Sequence, residues 1–173
     1  AFVFIGDGVA CPWLKAEVAE RGLSNVQFRP YQPADRLRWS LSVPDVHLVS
    51  LRPALEGLIV PSKFYGIAAA GRPVIHVGDI YGEIPRILER EQCGWSYSVG
   101  EVGPLTQCIL GLSQRRYEAA EAGLRARLAF DRQYSRTHAL HTWRALLDSV
   151  SVPVLRREEE RIAGAFPVAA GKE

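Results

Sequence analysis

The sequence contains no methionine and only three cysteines among its 173 residues. Cys11, Cys93 and Cys108 are widely spaced and odd in number, which favours a reducing compartment over a disulfide framework. They also lack the close spacing of a metal-binding cluster. The sequence therefore predicts neither structural disulfides nor a metal site.

A large net charge and a long apolar run are absent as well. The formal net charge of +2 is too small to indicate binding to nucleic acid or to an anionic membrane. No apolar run approaches the length of a membrane span, and residues 1–10 lack the basic region of a signal peptide. With 47% hydrophobic residues, the chain can bury the core of a soluble domain. We expect a cytoplasmic protein, and association with the inner face of the membrane is left open.

The first residues, AFVFIGDG, resemble the middle of a strand and its turn rather than a native start. Together with the missing methionine, this beginning leads us to expect the carboxy-terminal part of a longer protein. A processed amino terminus is the alternative.

Short apolar runs alternate with helical patterns along most of the chain. Five such runs predict strands at residues 1–5, 26–28, 45–50, 72–77 and 94–99. The alternation indicates βαβ units and a Rossmann-like α/β fold, a doubly wound parallel sheet with helices on both faces. Only helical patterns follow Ser113, which gives an expected domain over residues 1–150 with extra carboxy-terminal helices. Residues 151–173 have no clear apolar face and predict a flexible tail.

Ligands of such sheets bind at the carboxyl ends of the strands. Four loops should gather there: Gly6–Gly8, Arg29–Pro33, Leu51–Val60 and Val77–Gly82. The unusual residues of the sequence lie in these loops, so we expect the functional site to be formed by them.

The third loop leads into a predicted helix of small residues, PSKFYGIAAAG. Pro61 suits the first turn of a helix, and the free N–H groups of that turn attract an anion. Arg52 and Lys63 add two cations near the same end, which is favourable if a diphosphate lies between them. The alternative is that Lys63 extends into solvent and that Ser62 is a local cap.

Three glycines in these segments suggest the close approach of another group. Gly66, inside the predicted helix, costs about 0.5–1 kcal/mol relative to alanine. Gly6 and Gly8 let the backbone pass near a bulky group, with a plain tight turn as the alternative. A third glycine at the spacing of a dinucleotide fingerprint is missing after Gly8, which argues against NAD.

Two other side chains in these loops are suited to contact a ligand. Tyr31, between Pro30 and Pro33, is a rigid aromatic that suits a nucleobase, with a surface tyrosine in a turn as the alternative. Glu56 cannot favour phosphates, but it suits the hydroxyl groups of a sugar. No Ser-His-Asp or Cys-His spacing supports covalent hydrolase chemistry.

Three segments resemble a known family when they are taken in order. FVFIGDG, LKAEVAERGLSNVQFRPYQPADRL and DVHLVSLRPALEGLIVPSKFYGIAAAGRPVI are similar to the carboxy-terminal half of GT-B glycosyltransferases, in the large retaining group often called family 4. The similarity covers about residues 2–112. Within it, PSKFYGIAAAGRPVI resembles members that build bacterial surface polysaccharides.

The resemblance implies two Rossmann-like domains that face each other across a cleft. The amino-terminal domain, which is missing here, would bind the acceptor, and this domain would bind the nucleotide-sugar donor. The diphosphate would lie near Gly6 and Gly8, and the base near Arg29, Pro30 and Tyr31. The donor sugar and phosphates would be held by residues 56–63. The candidate catalytic residues are Glu56 and Lys63, and the candidate donor contacts, with two added from the residues alone (Arg52 and Gly66), are Arg52, Gly57, Leu58, Ile59, Pro61, Ser62 and Gly66.

The sequence departs from the family at one point. Many members carry two glutamates eight residues apart, of which the second holds the ribose hydroxyls. These positions are Leu58 and Gly66 here, and Glu56 lies two places before the first. How the ribose would be held is therefore open.

The resulting expectation is the donor-binding domain of a retaining glycosyltransferase. It would move a sugar from a UDP- or GDP-sugar to a saccharide or lipid-linked acceptor in bacterial polysaccharide biosynthesis. Helix N–H groups with Lys63 and Arg52 would stabilise the departing diphosphate without a metal or cofactor, and the fragment alone would be inactive. The alternatives are half of a nucleotide-sugar 2-epimerase and a non-catalytic nucleotide-binding α/β domain. No nucleic-acid partner is expected.

Overall fold

A computed structural model describes the backbone of residues 1–165 and the side chains of residues 1–150. The chain divides into two compact units, residues 1–127 and the residues from 128 onward. The strands are β1 (Phe2–Ile5), β2 (Val26–Arg29), β3 (His47–Ser50), β4 (Val74–Val77) and β5 (Gly94–Tyr97). The helices are α1 (Cys11–Glu20), α2 (Leu37–Ser42), α3 (Lys63–Ala69), α4 (Glu83–Glu91), α5 (Val102–Gln114), α6 (Arg116–Ala129) and α7 (Arg136–Ala165).

All strand pairs are parallel, but the hydrogen-bonded ladder is interrupted once. β1 pairs with β2, and β3, β4 and β5 form a separate sheet in that order. Across the second sheet, Val49, His76 and Ser96 lie opposite one another. The predicted Rossmann-like α/β class is confirmed, and its five strands form two small sheets instead of one continuous sheet.

The three-stranded sheet is covered by helices on both faces. Leu88 of α4 packs over Gly94, so closely that a Cβ atom on this glycine would lie 2.9 Å from Leu88 Cδ2. Successive side chains of a strand point to opposite faces. On the other face, Ile75 packs with Leu112 of α5 and Ala119 of α6. The core of the first unit therefore surrounds this sheet.

Two arginines of α6 fix the ends of neighbouring helices. Arg125 Nε donates to the carbonyl oxygen of Gln92 at 2.6 Å, and Arg127 Nη1 donates to that of Ala69 at 2.7 Å. Carbonyl groups at the end of a helix have no partner within it and carry a partial negative charge. The two arginines therefore stabilise the carboxyl-terminal ends of α4 and α3, where carbonyl groups lack partners within the helix.

The two-stranded sheet combines a parallel backbone ladder with one aromatic contact. The rings of Phe4 and Phe28 stack with centroids 5.5 Å apart, and Lys15 Nζ lies 5.7 Å from the Phe28 centroid. None of residues 1–48 is buried, and the buried residues begin at Val49. The first sheet is thus much less enclosed than the second.

The second unit consists of helical segments. After α6, a π-helical turn covers Phe130–Tyr134, and α7 continues from Arg136 to Ala165. The predicted domain over residues 1–150 and the flexible tail over 151–173 stay predictions, although the backbone is helical to Ala165. Residues 166–173 of that tail lie outside the described residues. Within the described part, no helix is long and apolar enough to cross a membrane.

Candidate functional site

The loops after β1 and β2 meet at Gly6 and Tyr31. Gly6 has φ of 112°, a conformation that side chains disfavour. Its N–H donates to the carbonyl oxygen of Arg29 at 3.0 Å. A Cβ atom at Gly6 would lie 3.5 Å from the Tyr31 ring, which is itself 83% exposed. The tyrosine therefore has one edge against the loop and most of its surface available to a ligand.

The remaining predicted residues of these two loops have local roles. Arg29 Nη2 donates to Gln27 Oε1 at 3.1 Å, and the carbonyl oxygen of Pro30 accepts from Gln32 at 3.0 Å. The carbonyl oxygen of Gly8 accepts from the N–H of Cys11 at the start of α1, at 2.8 Å. A Cβ atom on Gly8 would meet nothing within 4 Å, so the space beside this loop is open.

The loop after β3 is compact and presents apolar side chains outward. Its first part is a 3-10 turn, Pro53–Leu55, and Gly57 follows with φ of 79°. Leu58 and Ile59 bond through their N–H groups to the carbonyl oxygen of Leu55, while their side chains are 75% and 52% exposed. This loop therefore has a folded backbone and an apolar outer surface.

Two N–H groups at the start of α3 already have hydrogen-bond partners in the protein's own backbone. The N–H groups of Phe64 and Tyr65 donate to the carbonyl oxygens of Pro61 and Ser62, at 3.0 and 3.2 Å. Ser62 occupies the N-cap position without a side-chain cap, so the predicted alternative of a serine cap is not formed. Lys63 is the first helical residue and is exposed. Its charge, more than the helix amides, would face an anion here.

Gly66 is explained by packing between helices. A Cβ atom on Gly66 would lie 3.2 Å from Leu41 Cδ1 of α2. The close approach that the sequence suggested at this glycine is therefore made by a leucine of the same chain. Its role in donor binding stays a prediction.

Glu56 connects two of the predicted loops. Its Oε1 atom accepts a hydrogen bond of 3.1 Å from the N–H of Glu83, the first residue of α4. The carboxylate lies where a side chain on Gly82 would be, since a Cβ atom there would approach Oε2 to 2.5 Å. Carboxylates stabilise the amino termini of helices through both the hydrogen bond and the dipole. Glu56 therefore caps α4 from a distant loop.

Several residues around Glu56 were not singled out as site residues from the sequence. Tyr65 Oη donates to Glu83 Oε1 at 3.2 Å, and Asp79 Oδ1 accepts from the N–H of Tyr81 at 2.9 Å. Gly82 was visible in the sequence as a glycine before a helix. Its tight contact with the carboxylate of Glu56 was not, because it depends on tertiary structure.

His76 lies buried beneath this cluster with no exposed surface. Neither ring nitrogen has a hydrogen-bond partner among the described residues. Burial lowers the pKa of His76 below its ordinary value, and the negative charges of Glu56 and Asp79 oppose that shift without cancelling it. The lowered pKa favours the neutral form of this histidine.

The predicted site residues thus form two groups. One lies around Gly6 and Tyr31 at the end of the first sheet, and the other follows β3 along the chain, from Arg52 to Gly66. In the described part of the chain, no three His, Cys, Asp or Glu side chains are placed to hold a metal ion. The expectation that no metal takes part stays a prediction.

Two curated proteins are similar to this chain in sequence. The probable glycosyltransferase WbjE of Pseudomonas aeruginosa is 34% identical over 96 residues, which are 56% of this chain and 24% of that protein. The putative colanic acid biosynthesis glycosyl transferase WcaI of Escherichia coli K12 is 32% identical over 88 residues, which are 51% of this chain and 22% of that protein. The chain thus spans about a quarter of the length of these relatives. No protein-family model matches it.

Two solved structures share the fold. The crystal structure of TarM superposes with a TM-score of 0.68 and 21% identity over 84% of this chain and 28% of its own. That of Anabaena HepE in complex with UDP-glucose gives 0.66 and 16% over 85% of this chain and 40% of its own. At these identities, the superpositions establish the fold alone.

The similarities in sequence and in fold are to one class of protein. The sequence relatives are named as glycosyltransferases, and the structural neighbours are GT-B glycosyltransferases. The predicted resemblance to GT-B glycosyltransferases of the family 4 type is confirmed by these similarities.

Proposed function

We propose that this chain is the nucleotide-sugar-binding domain of a GT-B glycosyltransferase of bacterial polysaccharide biosynthesis. One observation carries the proposal. About a third of the positions over half of the chain are identical in two proteins named as glycosyltransferases. One of these is named for colanic acid biosynthesis, and the HepE neighbour was solved with UDP-glucose. These names support a nucleotide diphosphate sugar as donor and a saccharide or lipid-linked acceptor.

The charges of the second group suit the diphosphate. Arg52 and Lys63 are both exposed, on either side of the loop that ends at α3. Neither forms a salt bridge among the described residues. Negative charge develops on the departing diphosphate during sugar transfer, and fixed cations stabilise it. We assign this role to Lys63 and Arg52, and no metal or cofactor is needed for it.

Glu56 is assigned a positioning role rather than a direct one. Oε1 is bonded to the N–H of Glu83 and Oε2 faces Gly82, so the carboxylate is directed into the protein. It fixes the loop that carries Arg52 against α4. The exposed residues Gly57, Leu58 and Ile59 would then contact the donor sugar.

The first group suits the nucleoside. Tyr31 offers an exposed ring beside the bare backbone of Gly6, and stacking of a base on an aromatic ring contributes about 1–3 kcal/mol. Arg29 and Pro30 would border the base, and Gly8 the phosphates. The ribose has no glutamate at position 66, so it would be held by other groups.

The proposal extends to a longer enzyme. A second, acceptor-binding domain would complete the cleft, transfer would retain the anomeric configuration, and catalysis would take place on the cytoplasmic side. The 173-residue chain alone would bind the donor without turnover. A rate measured on this chain with an acceptor sugar would contradict that part of the proposal.

Calorimetric titration with UDP, GDP, UDP-glucose and GDP-mannose tests donor binding. We expect one nucleotide series to bind and Lys63→Ala to weaken it about 10- to 100-fold, since hydrogen bonds to charged groups contribute about 1.5–3 kcal/mol. The matched control is Arg116→Ala, which removes an exposed cation of α6 without an ion pair among the described residues. Equal losses in both variants, or no binding of any nucleotide even by the full-length gene product, would refute the proposal.

A further inference from the structure

β1 has the sequence of a central strand but the position of an edge strand. Its residues Phe2, Val3, Phe4 and Ile5 are apolar on both faces and are 44%, 51%, 38% and 47% exposed. Strands that are apolar on both faces belong inside parallel sheets covered on both sides. An exposed apolar edge strand is a liability that native proteins avoid. β1 is therefore more exposed than its composition suits.

Among the described strands, β1 and β3 each have one unpaired edge, as do β2 and β5. The N–H groups of Phe2 and Gly6 bond to the segment of β2, and those of His47 and Leu51 bond to the segment of β4. The ladders continue that alternation within each pair. The amides between them point the other way: Val3 and Ile5 in β1, and Leu48 and Ser50 in β3. Leu48 is 58% exposed although the adjacent Val49 is buried.

The order of the strands indicates what is missing between these edges. From β1 the chain proceeds outward to β2, and from β3 it proceeds outward through β4 to β5. In a six-stranded doubly wound sheet, the order 3-2-1-4-5-6 places the first strand where the two directions diverge. In this order, β2 and β1 match strands 3 and 2, and β3, β4 and β5 match strands 4, 5 and 6. No described strand matches strand 1, which would lie between β1 and β3.

We propose that the edges of β1 and β3 form a slot, here called the strand slot, for one parallel strand from a further segment of a longer polypeptide. The strand would be apolar on both faces, because its neighbours in β1 are. It would complete one continuous sheet of six strands and separate β1 from β3 by about 9–10 Å, twice the spacing of neighbouring strands.

A second copy of the chain does not fit the slot. An inserted strand needs both of its edges free, whereas each of the five described strands already pairs along at least one edge. The named relatives are about four times as long as the part of them that this chain matches. A longer polypeptide of that kind contains ample sequence for the strand.

The strand slot also explains why the candidate site forms two groups. Ligands of doubly wound sheets bind where the strand order reverses, and that point is the carboxyl end of the missing strand. The inserted strand would bring the loop of Gly6 and the loop of Leu51–Val60 to either side of one crevice. The slot itself follows from strand pairing alone and does not depend on the proposed sugar transfer.

Hydrogen exchange of single backbone amides, measured by NMR without nucleotide, tests the proposal. In the 173-residue chain, the slot amides Val3, Ile5, Leu48 and Ser50 should exchange quickly. The amides of Phe4, Gly6, Val49 and Leu51, which lie on the paired edges of the same strands, are the internal controls. In the full-length product of the gene, we expect the slot amides to exchange at least tenfold more slowly, and the controls to remain protected.

Four results would overturn the strand slot. The slot amides could be protected already in the monomeric 173-residue chain, which means that β1 and β3 pair directly. Protection could rise with protein concentration together with a dimer in sedimentation, which means that a second copy covers the edges. The slot amides could exchange quickly in both proteins, or the gene could encode no further residues. None of these results bears on nucleotide binding, so the slot and the proposed function fail separately.

Discussion

Glu56 caps helix α4 from a loop 27 positions earlier in the chain, because its Oε1 atom accepts a 3.1 Å hydrogen bond from the N–H of Glu83. This single contact joins the loop after β3 to the loop after β4. It also determines how the region bearing Arg52 is held. The sequence offered this acid as a catalytic candidate, and that role stays a prediction.

The cap predicts a graded series of stability losses. Glu56→Ala removes the acceptor and should lower the free energy of unfolding by about 1 kcal/mol. Glu56→Gln keeps an acceptor oxygen and loses only the charge, so its loss should be smaller, about 0.3–1 kcal/mol. Urea denaturation at pH 7 measures both. The matched control is Glu89→Ala, an exposed acid of the same helix, and a loss equal to that of Glu56→Ala would contradict the cap.

Gly94 and Gly103 should differ strongly in their response to alanine. A Cβ atom on Gly94 would overlap the carbonyl oxygen of Val74 and lie 2.9 Å from Leu88 Cδ2. Since a backbone oxygen cannot move aside, Gly94→Ala should cost about 3 kcal/mol or prevent folding.

Gly103, in the first turn of α5, is the matched control. A Cβ atom there would meet nothing within 4 Å, and alanine favours helix over glycine by up to about 1 kcal/mol. Pro104 follows directly and disfavours a helical alanine before it, so Gly103→Ala should change the urea midpoint only slightly. A normal midpoint in Gly94→Ala would show that α4 does not pack on β5 as described.

The comparison of sequence and structure separates local signals from tertiary ones. The runs around Val3 and Ile75 predicted strands correctly, because apolar runs bounded by glycine and proline are a local signal. The start of α3 was placed two residues early, at Pro61, because ends of helices depend on which amides find partners. The sequence pattern could not predict the division into two sheets, because β1 has the composition of a central strand.

The candidate site shows the same division. The loops were predicted to lie at the ends of the strands, and Gly6 with Tyr31 and Glu56 with Gly82 do meet there. The Glu56 carboxylate caps a helix, and Leu41 packs against Gly66. Both contacts join residues that are far apart in the sequence. Such contacts have no periodicity that a reader of the sequence can detect.

The cysteines should differ in their reaction with alkylating reagents. Cys93 is buried, and burial raises the pKa of its thiol to about 11, so it is protonated and covered at pH 8. Cys11 is half-exposed at the start of α1. Iodoacetamide at pH 8 followed by peptide mass spectrometry should modify Cys11 at least tenfold faster than Cys93, because only thiolates react. Equal rates in the native protein, with both becoming fast in urea, would mean that the helix α4 region opens readily.

Buried His76 should make the protein less stable in mild acid. Burial lowers the pKa of both His76 and His47 in the folded chain, whereas the unfolded chain keeps values near about 6.5. The unfolded state therefore binds more protons below pH 6.5, and the free energy of unfolding falls as the pH is lowered through that value toward the folded pKa. Urea denaturation between pH 8 and pH 5 should show this decrease.

Replacement of His76 by leucine separates its share from that of His47. Neither ring nitrogen of His76 has a partner among the described residues, so His76→Leu loses no hydrogen bond there and should be at least as stable as the parent at pH 8. Its decrease in stability from pH 6.5 to pH 5 should be smaller than that of the parent, and the remainder belongs largely to His47. His141→Gln, at an exposed position of α7, should keep the full decrease. If His76→Leu lost stability in acid as steeply as the parent, the histidine would not be buried and neutral in the folded protein.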